Sequence, residues 1–165
     1  MSRLLKGLAI LALLVTVAGA CAVLYGINTL TPQVEQVSSA VTPAAQNPDA
    51  FDRVMEQLEN GTFAGRVFGD TQGLSAESCA FVTYTVRLSN RGFFPAEWIS
   101  MEVAPREGTD ILMLADTGAH VLGAGSRGDL TATLLCAGEG EDTGRQLTIT
   151  CYVFGQKIVF DAYAS

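Results

Sequence analysis

One histidine, four cysteines and seventeen acidic residues are the reactive stock of this 165-residue chain. A nucleophile–histidine–acid triad or a multi-histidine metal site needs more imidazole, or better neighbours, than the chain supplies. His120 opens an expected strand with no acid-rich or cysteine-rich sequence around it and reads as a surface or capping residue. The run Glu139-Gly140-Glu141-Asp142-Thr143-Gly144 offers hard oxygens suited to Ca²⁺, which takes about six to eight of them. Its carboxylates lack the spaced ligand order of a helix–loop–helix calcium site, so a solvated loop is the better reading. Cys79, Cys136 and Cys151 follow the N-terminal apolar run, an odd number that leaves at least one thiol without an intrachain partner. Cys136 and Cys151 project toward the expected core. A tight turn at Thr143-Gly144 sets them opposite one another, whereas a broad loop centred earlier puts them beyond the roughly 7 Å Cα separation that a bridge tolerates. Buried free thiols behaving as small apolar groups are the expectation. A nucleophilic cysteine needs an adjacent base, and none accompanies these three. No catalytic, metal-binding or cofactor-binding residue is therefore expected, and an enzyme is the least favoured class.

The segment Arg91-Gly92-Phe93-Phe94-Pro95-Ala96-Glu97-Trp98 gathers two phenylalanines and the single tryptophan around a turn. Exposed, these rings would make a binding tip, and Phe93, Phe94 and Trp98 are the candidate partner-binding residues. Burial in the core is the commoner fate of such rings. Asn60-Gly61-Thr62 fits a glycosylation sequon and otherwise reads as a turn. From residue 31 onward eight basic residues face seventeen acidic ones, a balance of −9 against −7 for the whole chain. Such a domain repels polyphosphates and anionic head groups, so nucleic-acid binding has the wrong sign.

The elements that must carry these residues begin with an anchor. Between Lys6 and Glu35 there is no ionisable Asp, Glu, Lys, Arg or His, and Leu8 to Leu30 is a 23-residue apolar run. As a helix it reaches roughly 34 Å, enough for a hydrocarbon core of about 30 Å. The run is longer than the apolar part of a cleaved signal peptide, and Arg3 and Lys6 flank it on the N-terminal side only. The expected arrangement is a cytoplasmic N-terminus at 1–6, a transmembrane anchor at 7–30, a linker with a short helix at 31–61 and an extracytoplasmic β-domain at 62–165. Two processing alternatives stay open, because Ala18-Gly19-Ala20 suits a signal peptidase and Cys21 directly after it is a candidate lipidation site. An Ala at position 18 and the apolar stretch after Cys21 favour the uncleaved anchor. Ala18, Ala22 and Gly26, four residues apart, form a candidate helix-packing face for a second copy or a larger membrane complex.

Thr31 to Gln46 reads as a continued helix or a loose tether, with Val34, Val37 and Val41 on one helical side. Asn47-Pro48-Asp49 starts a helix, Phe51, Val54, Met55 and Leu58 give it an apolar stripe, and Gly61 ends it. Its polar face is mostly acidic, which favours docking on the domain over lying on a membrane. Beyond Thr62, short alternating segments predict strands at 63–68, 80–88, 97–103, 111–114, 120–122, 130–136, 147–154 and 157–163. Phe154-Gly155-Gln156-Lys157 offers a Gly-X pair for a type II′ hairpin between the last two.

The segments TYTVRLSNRGFFPAEWISMEV, GAGSRGDLTATLL and LTITCYVFGQKI resemble an immunoglobulin-like sandwich of the kind found in bacterial cell-surface adhesion-related repeats. The chain is also similar to short membrane-anchored proteins of Gram-positive bacteria. That resemblance implies a mainly β, antiparallel sandwich of seven to eight strands on a single-pass anchor, and it transfers no site residue. The expectation is a non-catalytic protein-interaction module of the cell envelope, without cofactor. The alternative is a structural subunit that docks through its transmembrane helix.

Overall fold

A computed structural model describes residues 3–28, 31–140 and 144–164. Helix α1 (Arg3–Asn28) leads into β1 (Gln33–Pro43) and helix α2 (Pro48–Glu59). Strands β2 (Arg66–Val67), β3 (Cys79–Ser89), β4 (Ala96–Val103), β5 (Asp110–Met113) and β6 (Thr117–Gly118) follow. The chain closes with β7 (Val121–Leu122), β8 (Arg127–Ala137), β9 (Arg145–Val153) and β10 (Gln156–Ala164). The protein is mainly β, with two helices and every described strand pairing antiparallel. One sheet has the order β1-β3-β8-β5-β2, with β6 also on β8; the other has the order β10-β9-β4-β7.

The two sheets share one core because their strands alternate. Val82, Tyr84 and Val86 of β3 face inward with Leu130 and Leu134 of β8, and meet Ile149 and Cys151 of β9. Their neighbours point outward, where Thr83 pairs with Thr133 across the strands, hydroxyl to hydroxyl at 3.0 Å. At its start β3 departs from this rhythm, and Cys79 to Val82 are all buried. The cause is α2. Its Phe51 and Val54 cover the outer face of the sheet on Phe81, Leu112 and Leu135, so this part of the sheet is apolar on both sides. Pro48 sits in the first turn of α2, and Gly61 at φ +66° follows its end.

The segment read as tether or helix is a strand instead. β1 pairs with β3 from Gln33↔Ser89 to Pro43↔Ala80, so the sheet begins well before residue 62. A register shift between Val34 and Gln36 explains the misreading. The extra residue of a bulge puts Val34 and Val37 on the same half-buried side three positions apart, a spacing that imitates a helix.

The thiols are as expected, and one further expectation changes. β8 and β9 belong to different sheets, so no hairpin sets Cys136 opposite Cys151, and Cys79, Cys136 and Cys151 are buried free thiols. The β9–β10 turn is centred one residue earlier than expected. Val153 pairs with Gln156, and Phe154 and Gly155 both take positive φ, 54° and 75°, as in a type I′ turn. In α1 every side chain described, from Gly7 to Val23, is exposed. Among the described residues no helix is long and apolar enough to cross a membrane.

Candidate functional site

The start of β1, the end of β3, the starts of β4 and β8 and the β9–β10 turn lie at one end of the sandwich, called here the entry end. The turn after β3 is built around buried Asn90. Its Nδ2 donates to Phe94 O at 2.7 Å and Leu122 O at 3.0 Å, and its Oδ1 accepts from Gly92 N at 2.9 Å. Its backbone N–H donates to Ser126 O and its carbonyl accepts from Gly125 N. Five hydrogen bonds from one residue thus fix two neighbouring loops and leave Phe93 69% exposed and Phe94 at the surface.

Beside that loop, β4 bulges. Glu97 pairs with Tyr152 and Ser100 with Thr150, so Trp98 and Ile99 together oppose Cys151. Ile99 enters the core while Trp98, at φ 52°, points out and is 77% exposed. A bulge of this kind ordinarily carries glycine at its left-handed position, and a tryptophan there costs about 1–2 kcal/mol. His120 clamps it. Its Nδ1 lies 2.8 Å from Ile99 O, and its carbonyl accepts Ile99 N–H at 3.0 Å. Phe154 repeats the pattern in its turn, at positive φ and 78% exposed, with its ring edge-on to Phe94 at 4.7 Å between centroids. Between Glu97, Trp98, Tyr152 and Gly155 lies an open hollow of about 430 Å³.

Charge at this end differs from the rest of the domain. Within three rungs of it, Arg87, Arg91, Arg127 and Lys157 stand with Glu35, Glu97 and Asp129, a balance of +1. The remaining charged residues after position 30 number four basic and fourteen acidic, or −10, which together restores −9. Arg87 and Asp129 form a paired bridge at 2.8 and 3.0 Å, and those hydrogen bonds hold the Asp129 carboxyl below its ordinary range. Arg127 reaches Glu35 at 2.9 Å.

The far end is closed by an ion pair. Arg145 and Asp110, with side chains 3% and 0% exposed, meet through two hydrogen bonds of 2.6 and 2.7 Å. Arg145 also donates to Ala104 O, while Asp110 accepts from Arg106 N and from the Cys136 thiol. Burial opposes ionisation of Asp110, and the donors around it overcome that opposition, so its carboxyl titrates below the usual value. Burial, and then the charge of Asp110, push the Cys136 thiol up to about 12; burial alone pushes Cys151 up to about 11. Both thiols are held protonated, and nucleophilic chemistry needs the thiolate.

Phe93, Phe94 and Trp98 are therefore brought together at the surface. Phe154 and Tyr152 join them, and sequence reading had passed these over although a bulky residue before Gly155 in a tight hairpin was visible. Cys21, Ala18 and Ala22 are exposed on α1, and Gly26 lies in that helix outside the residues whose surroundings are described. Glu141, Asp142 and Thr143 fall outside the described residues, among which no group of three metal-ligating side chains occurs. No protein-family model matches the sequence, and no curated protein matches it.

Proposed function

We propose that the chain is a membrane-anchored, extracytoplasmic interaction module of the cell envelope, without catalytic activity, whose contact surface is the aromatic entry end. The observation that carries this reading is the pairing of exposed aromatics with strained backbone at Trp98 and Phe154. Neither exposure nor strain contributes to the stability of the fold, and such features persist where a site requires them. The anchor reading rests on the sequence, because among the described residues no helix is long and apolar enough to cross a membrane, and on the exposure of the apolar side chains described in α1. An isolated helix that is apolar all round is not a stable state in water, whereas it is the ordinary state of a bilayer span. From Gly7 to Asn28 the uncharged part of α1 reaches about 33 Å, and the uncharged run of the sequence continues to Leu30. Arg3 and Lys6 on the N-terminal flank support an orientation with the β-domain outside.

The sandwich is proposed to be immunoglobulin-like. The orders β1-β3-β8-β5 and β10-β9-β4 correspond to the A-B-E-D and G-F-C sheets of a seven-stranded immunoglobulin domain. In this reading α2 and β2 are an insertion between the first two strands.

Carbonate washing of membranes from cells making the full chain tests the anchor. The protein is expected to stay in the pellet, and added protease is expected to digest the β-domain in intact spheroplasts. Release of the intact chain by carbonate would remove the anchor. An intact mass lacking the first twenty residues would replace it with a lipid on Cys21, or with no anchor at all.

A further inference from the structure

We propose that the entry end is a lipid-facing foot: Phe93, Phe94, Trp98 and Phe154 seat in the head-group layer of the same phospholipid bilayer that holds α1. The proposal rests on the membrane reading of α1 and names the partner of the aromatic surface.

Chain length makes the first argument. Asn28 is the last residue of α1 and Gln33 the first of β1, five Cα steps apart, so the two cannot be separated by more than roughly 19 Å. Gln33 pairs with Ser89, one residue before the Asn90 loop that presents Phe93 and Phe94. An anchored chain therefore holds its aromatic end at the membrane, and a protein partner would have to enter that narrow gap. The side chains make the second argument. Trp and Tyr collect at bilayer interfaces, where a ring meets both acyl chains and water, and Trp98 and Tyr152 lie together here beside exposed Phe93, Phe154 and Val121. The other exposed large apolar residues described in the domain, Val41, Val67, Val159 and Tyr163, are spread over three strands, β1, β2 and β10.

Charge makes the third. The domain as a whole carries the wrong sign for an anionic surface, but the entry end does not. Its balance of +1, with Arg91 in the loop and Lys157 beside the last turn, faces the lipid, while the strongly acidic remainder is repelled from it. Attraction at one end and repulsion elsewhere hold the sandwich upright on its tether.

Trp98 is the chain's single tryptophan, so its fluorescence reports the foot directly. The full chain is reconstituted into vesicles of phosphatidylcholine and phosphatidylglycerol, with and without acyl-chain bromination. The expected result is blue-shifted emission that brominated lipid quenches and acrylamide reaches poorly. Phe93→Ser with Phe154→Asn is expected to return the emission toward that of a water-exposed indole while the melting transition stays in place. Quenching is also expected to survive insertion of about twenty Gly/Ser residues after Leu30, a flexible spacer of roughly 25 Å. Loss of quenching with that spacer would overturn the proposal, because proximity alone would then account for the signal. A chain that floats with the vesicles but keeps a water-exposed Trp98 would overturn the lipid foot, spare the anchored module and assign the tip to a protein partner. A chain that fails to float would overturn the anchor and the foot together.

Discussion

The two ends of the sandwich treat unfavourable chemistry in opposite ways. At the far end a carboxylate and a guanidinium are taken out of water, a costly step, and nearly every polar atom there then finds a partner, Arg145 Nε being the exception; Ser89 Oγ, at the entry end, is the other buried unpaired side-chain atom among the described residues. At the entry end Phe93, Trp98 and Phe154 are largely left in solvent, and two of them sit on left-handed backbone, held only by the His120 clamp and the Phe94–Phe154 edge contact. The far end is thus a closed internal solution. The entry end keeps exposed aromatics and strained backbone instead, and this asymmetry is what supports the interaction surface proposed there.

The largest effects should come from breaking the closed end. Asp110→Ala leaves Arg145 buried without its counter-charge and is expected to cost about 3–5 kcal/mol in urea unfolding. Replacing the pair together, Asp110→Leu with Arg145→Met, is expected to recover most of that loss, because the desolvation cost disappears along with the attraction. The pH dependence follows from the lowered Asp110 pKa. Its contribution is present above the unfolded carboxyl value of about 3.9 and is lost as pH falls through the lower folded value. The parent should therefore lose stability steeply in acid, and Asp110→Asn should start less stable at neutral pH but fall less between pH 4 and pH 2, as circular dichroism can follow. Equal slopes would show that Asp110 is not the group that titrates.

An intermediate effect is expected at Asn90, where the comparison between ends blurs. This residue is as well satisfied as the far-end pair, yet it belongs to the entry end and supports its exposed rings. Asn90→Ala strands two carbonyls and an N–H and should cost about 2–3 kcal/mol. It should also loosen the Phe93–Phe94 loop, so that lipid quenching of Trp98 weakens under conditions where the domain is still folded. A destabilised variant with unchanged quenching would separate the loop from the surface it is thought to present.

Legibility in the sequence followed the range of the physics involved. α2 could be read because its cap region, stripe and stop are all local, and β9 with the greater part of β3 and β8 because alternation there records a sheet with one buried face. β1 could not, since one bulge residue turns a strand period into an apparent helical one. Asp110 and Arg145 lie 35 residues apart and each looks like an ordinary surface charge; only the crossing of β5 and β9 between sheets joins them. The aromatic cluster was visible as composition. Its exposure was not, because that depends on a left-handed tryptophan in β4 that leaves no glycine or asparagine signal, and on a turn whose Gly155 marks only the second of its two left-handed positions.

The smallest stability effects, and the sharpest use of the comparison, are expected at those two left-handed positions. Trp98→Gly supplies the residue a bulge of this geometry favours, and Phe154→Asn makes the Asn-Gly pair that a type I′ turn prefers. Relief of about 1–2 kcal/mol of backbone strain at each is opposed by the greater chain entropy of glycine, about 1 kcal/mol, and by loss of the Phe94–Phe154 contact, about 0.5–1.5 kcal/mol. Each variant should consequently unfold within about 1 kcal/mol of the parent, with Trp98→Gly no less stable. Removing two large aromatics from a core costs several kcal/mol, so near-neutral outcomes would mark these rings as retained for something other than folding. A loss above about 3 kcal/mol for either variant would mean that the rings are packed, and the contrast between the two ends would then collapse.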